Sequence, residues 1–544
     1  MIKHLLALVT ATLAVSSLVV PSIAEAGGLY VSQRGVRPLG RGGAFVAGAD
    51  DLGAIGYNPA GIFDAGGQFL FDATFLIFGS EYTRQALLRQ VDPNTGETVA
   101  SFEQTFEPVE GSAAPLPIPT LAASFAPHED WRVAFGLFAP SAILPSYPAE
   151  LNGGPAPQRY QLISLNGSIL ASLGGYVAWR PIPSLTFGLG FEVLLGTFQS
   201  RQVLSGCLPD RFFCAPEDTE WDLAADINAG PIVSPTGILG VTWEFYEGWR
   251  LGGSFHLPTW VMAPATLTSR LPDAAPYRAA EQLGDEATLD FELPWEARLG
   301  IETRDLAKGL RIEVAADFQY WAIHDDITVV PDGIAVTNLP GFPKEYLLPE
   351  ITIPRGFQSS IGAMIGGEYT IPVDETVSLT PRVGFSYETS AVPSEYASVL
   401  TLDSGKATPS VGFGIGFGDA RVDLVYAHQF IETVEVSPEA ARLAQVVPVQ
   451  ANPPERVDAI NGGFYSWHID LVGAGFTYTF DKAATPNEPP VHKPDPSAEK
   501  GPATDPSDKL NDNPKDKNDA TGHAATKEDG AVPAPPTPLE EDSD

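Results

Sequence analysis

Among 544 residues there are only 2 cysteines, 3 methionines and 8 histidines. Two cysteines exclude a disulfide scaffold and most Cys-based zinc modules. Positive charge is also scarce: 32 Lys and Arg against 68 Asp and Glu give a formal charge of −36. That sign excludes a nucleic-acid partner, because phosphate binding requires the opposite one. Beyond the N-terminus no run of 18 apolar residues occurs, which excludes a helical membrane protein. Glycine (53) and proline (50) are abundant, aromatics reach 10% and charged residues only 18%. Such a composition suits an exported or envelope β-protein whose strands are half apolar.

Residues 1–26 read as a signal peptide. Lys3 and His4 precede an apolar stretch from Leu5 to Val20, and Ala24-Glu25-Ala26 is an A-x-A cleavage site. No Cys follows that site, so a lipoprotein is not expected. After Phe480 the composition changes abruptly: residues 481–544 carry 15 acidic and 7 basic side chains and no Phe, Trp or Tyr. They cannot bury enough apolar surface to offset their ordering entropy and are expected to form a disordered, acidic, Pro-rich periplasmic tail.

From 67 to 480 the dominant period is two. Val377, Leu379, Pro381, Val383, Phe385 and Tyr387 alternate with Ser378, Thr380, Arg382, Gly384, Ser386 and Glu388. Leu293, Trp295, Ala297, Leu299 and Ile301 are read as one face, opposite Glu296, Arg298, Gly300 and Glu302. Strand spacing collects each set on one side, whereas helical spacing would scatter it. These runs reach about nine residues or more, the length of a tilted strand crossing a bilayer. Connections alternate between short (His128-Glu129-Asp130, Glu247-Gly248, Gly418-Asp419) and long (Val203 to Ala229, Glu432 to Phe464). Short periplasmic turns and long outer loops of this kind belong to an outer-membrane barrel. Seven long and six short connections predict an all-β, transmembrane antiparallel β-barrel of about 14 strands, both ends periplasmic. The last run ends on Phe480 with Tyr478 and Phe476 at alternate positions, as a strand addressed to the barrel assembly machinery does. A monomer surrounded by outer-membrane lipid is expected.

A bore that wide fills with water unless something occupies it. Residues 27–66 are the candidate plug, or hatch: Gly-rich, of mixed charge and without strand alternation. Lumen charges that could face it are Glu296, Arg298, Glu302, Arg311, Glu313, Asp317, Arg382, Arg421 and Asp423. The run Gly40-Arg41-Gly42-Gly43, then Asp50-Asp51 and Asn58-Pro59-Ala60-Gly61, resembles the N-terminal hatch of the FadL family of outer-membrane channels. Gly136-Leu137-Phe138-Ala139-Pro140, Gln319-Tyr320-Trp321 and Arg382-Val383-Gly384-Phe385 are similar to that family too. The resemblance implies a plugged fourteen-strand barrel that takes fatty acids or other hydrophobic small molecules from the outer loops and releases them sideways near the third strand. The acidic tail departs from the family pattern, and a periplasmic or cell-wall partner is one reading of it.

Leu87, Leu88, Ile143, Leu144, Tyr147, Phe212, Phe213, Leu347 and Leu348 are candidates for an apolar capture surface, with Arg159, Arg201 or Lys344 for a ligand carboxylate. Cys207 and Cys214 share one exported loop, where a disulfide is expected. His256, His324, His428 and His468 fall on separate strands without a Ser-His signature, so no enzyme, cofactor or metal is expected. A general diffusion porin and a structural or adhesive envelope barrel remain as alternatives.

Overall fold

In hydrocarbon a strand must satisfy its backbone on both sides, so the sheet can only close on itself. The structure, a computed structural model, describes residues 33–481 apart from 93–94, 96, 114, 116, 140–144, 209–213, 215–216 and 451–457. The expected signal peptide, residues 27–32 of the plug segment, the tail beyond 481, and Ile143, Leu144, Phe212 and Phe213 lie outside the described residues.

Among the described residues fourteen strands build one antiparallel barrel. They are β1 (Gly67–Val91), β2 (Pro117–His128), β3 (Trp131–Phe138), β4 (Ile169–Ile182), β5 (Leu185–Ser205), β6 (Asp222–Tyr246) and β7 (Trp249–His256, continued by Thr259–Arg270). Then follow β8 (Glu286–Leu293 and Glu296–Thr303), β9 (Leu310–Gln319 and Asp326–Pro331) and β10 (Ile351–Pro354 and Ser360–Tyr369). The wall is completed by β11 (Val377–Glu388), β12 (Lys406–Phe417), β13 (Ala420–Ile431) and β14 (Gly463–Asp481). Each strand pairs with the next, and β1 closes the ring on β14 from Gly67↔Asp481 to Arg84↔Gly463. The even count leaves both ends beside the short turns.

Side-chain alternation decides which face meets lipid. Phe191 (62%), Leu299 (71%) and Val383 (63%) are exposed, while their neighbours Glu192, Arg298 and Arg382 are buried in the bore. Near the short turns Trp131 stacks on Trp179 at 5.6 Å, and Trp179 on Phe187 at 6.2 Å, forming part of an aromatic girdle at the membrane edge.

Two expectations need correction. Leu293 does not share a face with Leu299: β8 breaks at Pro294, and Leu293 turns inward with 4% exposure. A proline without a donor shifts the parity of what precedes it. Nor is the whole of 203–229 a loop, because β5 and β6 run on past the lipid zone as a paired ribbon, with Leu204 opposite Leu223. In that ribbon β6 keeps its alternation, with Leu223, Ala225, Ile227 and Ala229 buried, while Gln202, Val203, Leu204 and Ser205 of β5 are buried in a row and show none.

Candidate functional site

The plug is shaped by its own short polar residues. Asp51 accepts from the Gly53 amide (2.9 Å) at the start of one short turn of helix, and Asn58 accepts from Ala60 (3.2 Å) at the start of the next, with Pro59 in its first position. The Asn58 amide also donates to the carbonyls of Val46 (2.8 Å) and Val241 (3.0 Å), tying plug to plug and plug to β6. Gly42 has a φ of +62° and lies against the wall, where a Cβ would fall 2.5 Å from the Phe385 amide nitrogen. Only glycine combines that backbone with so close an approach.

Charge holds the plug in place. The fully buried guanidinium of Arg41 donates to Glu302 (2.9 Å) and Glu313 (3.2 Å) of β8 and β9. Glu313 in turn accepts from three consecutive plug amides, Val46 (2.7 Å), Ala47 (2.8 Å) and Gly48 (2.9 Å). Arg37 holds Asp50 (2.6 Å), Asp51 (2.9 Å) and Glu368 (2.5 Å). From the wall, Arg311 reaches Asp50 (2.6 Å) and the Gly48 carbonyl (2.7 Å), and Arg421 reaches Asp51 (2.6 Å). Arg382 links Glu368 (2.8 Å) to Asp423 (2.6 Å). Arg298 donates to the Gly56 carbonyl (2.7 Å), pairs with Glu296 (2.6 Å) and lies 4.9 Å over the Tyr57 ring. Asp317 bonds to Gln319 (2.9 Å), a wall residue, rather than to the plug. Burial alone would raise the Asp50 carboxyl, but Arg311 and Arg37 outweigh it and hold the group well below the usual carboxylate range.

Several anchors were not visible in the sequence. Glu368 sits at the centre of the lattice, opposite Arg311 on one side and Arg382 on the other. It is a single acid in a run of small and apolar residues, and only the strand register reveals its partners. Asp64, where the plug joins β1, binds Arg250 (2.5 Å) and Arg180, while the adjacent Phe63 ring receives Arg132 at 4.5 Å and Arg180 at 4.0 Å.

Above the plug lies a small polar pocket, bordered by Arg34, Phe138, Ser172, Glu192, His256 and Arg298 among others. Glu192 accepts from Tyr176 (2.9 Å) and contacts His256 (3.2 Å). Further out the bore is apolar: Ile227, Val261, Leu289, Phe291 and Trp321 on one side, Tyr82, Tyr147, Leu162, Val399 and Trp467 on the other, all buried. Beside the cavity β3 ends at Phe138, opposite Ser172. Among the described residues, pairing from the first hairpin to β5 then runs through the isolated bridges Ser112↔Ser146, Ser146↔Ser164 and Ser164↔Arg201.

Of the outer residues singled out for capture, Leu88 and Tyr147 are buried, Leu87 and Leu348 half-buried and Leu347 exposed. Arg159 is committed to Asp222 (2.8 Å) and Arg201 to Asp226 (2.5 Å), whereas Lys344 is exposed. Cys207 and Cys214 are joined by a disulfide.

The profile of the outer membrane protein transport protein (OMPP1/FadL/TodX) family matches residues 17–480. A FadL homologue of Pseudomonas aeruginosa superposes with a TM-score of 0.59 at 14% identity, covering 84% of this chain and 100% of its own. The toluene transporter TodX of P. putida gives 0.52 at 17% identity, covering 84% and 99%. The CymD monoaromatic hydrocarbon channel gives 0.50 at 16%, covering 83% and 98%. At these identities the likeness is one of fold. No curated protein sequence matches the chain. With the profile spanning most of its length, the chain belongs to the FadL/TodX family of outer-membrane transport proteins, β-barrel channels for hydrophobic compounds.

Proposed function

We propose that this barrel carries long-chain fatty acids or aromatic hydrocarbons across the outer membrane by diffusion, taking the ligand from the outer loops into the apolar half of the bore and releasing it sideways. The observation that carries the reading is the end of the β3 ladder at Phe138, level with the polar cavity. A ligand descending the bore gains about 25 cal/mol for each Å² of apolar surface removed from water, until it meets charged walls that offer no such gain. Going straight on would mean parting the plug from its buried ion lattice. Leaving beside β3 breaks no ion pair in that lattice and returns the ligand to hydrocarbon. TodX, a toluene transporter, and CymD, a monoaromatic hydrocarbon channel, support the aromatic side of this ligand class. A diffusion porin is disfavoured, since the plug occupies the bore such a protein would keep wet.

A strain lacking the protein should take up labelled oleate or toluene several-fold more slowly than its parent while growing equally on sugars. Equal uptake of both compounds would overturn the reading.

A further inference from the structure

We propose that the periplasmic mouth of the barrel holds a phosphate site, in which Arg132, Arg180 and Arg250 take a phosphate group where the plug joins the wall. The site lies below the plug, apart from the path of the transported ligand, and neither inference depends on the other.

Strand alternation brings these side chains to one inner surface. Trp131 and Trp179 are opposite each other in the register and face lipid, so the next residues, Arg132 and Arg180, turn inward at the same level. There they meet the last turn of the plug, Ile62–Ala65, just before Gly66 leads the chain into β1. The Phe63 ring carries Arg132 at 4.5 Å and Arg180 at 4.0 Å, a contact that places two guanidiniums without neutralising either. Arg250 of β7 joins them through Asp64.

Acids do not match these cations. Asp64 is shared between Arg180 and Arg250. Arg132 is 6% exposed and forms no ion pair among the described residues, and the charge of Asp481 at the end of β14 acts on it only from beyond ion-pair distance. Its Nη1 donates to the carbonyls of His128 (2.7 Å) and Trp131 (2.9 Å), which hold the side chain but bring no charge. Arg132 Nε and Arg250 Nη2 are buried without a hydrogen-bond partner. Arg37 and Arg41 of the plug, by contrast, each meet two or more carboxylates. A buried guanidinium without an acid is costly, and an anion at this surface would remove that cost.

Several guanidiniums around one carboxylate suit a phosphate, whose oxygens accept from more than one Arg at once. The level suits it too. Trp131, Trp179 and Phe187 mark the membrane edge, where the phosphates of the inner leaflet lie. Asp64 and Arg180 are only half-buried, so water at the mouth reaches the same spot. The phosphate therefore comes from a phospholipid headgroup or from solution. Bound there, it would fasten the end of the plug to β3, β4 and β7.

The test titrates the purified full-length protein in an uncharged detergent at pH 7.5 with inorganic phosphate and, separately, with dihexanoylphosphatidylglycerol, against chloride at matched ionic strength. The wild type should bind at least one of the two, and hydrogen exchange at residues 63–66 should slow several-fold at saturation. Binding of the lipid alone assigns the site to a headgroup, binding of inorganic phosphate alone to a soluble anion, and binding of both to the phosphate group itself. Arg132→Gln should weaken binding about ten-fold or more. Arg270→Gln, at an exposed arginine of the outer half, should leave it unchanged. A wild type that binds neither probe overturns the site, as does binding that leaves exchange at 63–66 unchanged or that survives Arg132→Gln intact. The wild-type titration and exchange decide even where the Gln variant fails to fold, and the transport reading stands in every case.

Discussion

Glu313→Ala is expected to turn a closed barrel into a conducting one. Its carboxylate is the only wall group that both neutralises Arg41 and accepts from three plug amides in a row among the described hydrogen bonds. Removing it leaves Arg41 to Glu302 and takes out a buried charged acceptor, and breaking a buried charged contact of this kind costs about 3–5 kcal/mol. Three amide donors lose their acceptor in the same step. If that loss falls on plug docking, the undocked population rises by roughly 10²–10³-fold, since each 1.4 kcal/mol is about a factor of ten. Planar-bilayer recordings should show large current steps in the variant and small ones in the wild type. Hydrogen exchange should accelerate at Val46, Ala47 and Gly48. Asp317→Asn is the control: Asp317 bonds to Gln319 and not to the plug, so its variant should stay closed. A closed Glu313→Ala barrel would mean that the remaining bonds suffice and that the lattice is not what seats the plug.

Ser172→Trp is expected to stop uptake in a barrel that still folds. Ser172 is 4% exposed, faces the bore, lines the polar cavity and stands opposite Phe138 where the β3 ladder ends. An indole there fills the space through which a ligand would pass from bore to wall. Ser172 itself takes part in none of the ion pairs described for the plug. Uptake of labelled ligand should fall at least ten-fold, with surface abundance and plug exchange unchanged. Full uptake would place the exit elsewhere.

The barrel was legible in the sequence because lipid imposes one rule on every strand: apolar outward at every second position. Val383, Phe385 and Tyr387 obey it without interruption, and all three are exposed on the outer face. Where the chain leaves lipid the rule weakens: Gln202 to Ser205 are buried in a row, which is why that part of the ribbon reads as loop. Pro294 breaks the rule from within, reversing the face of Leu293. The plug could be read from its glycines and its Asn58-Pro59 turn, features set by local backbone geometry. Its partners were half legible. Arg311 and Glu313 announce themselves as charges on a strand that alternates toward the bore, together with Asp317. The central role of Glu368 depends on a register with two strands whose sequences say nothing of each other.

In the function proposed, the plug stays seated while the ligand leaves through the wall. Gly40 and Gly412 allow this to be measured, because a Cβ built on either falls 3.1–3.2 Å from the Cα of the other. Cysteines at the two positions would be in direct contact, able to join once the backbones ease apart toward the Cβ spacing of about 3.5–4.5 Å of a disulfide. In a Gly40→Cys, Gly412→Cys double variant, uptake of labelled ligand should be the same with the lock oxidised or reduced, relative to wild type under the same treatment. Uptake that vanishes on oxidation and returns on reduction would show that the plug must move out of the way.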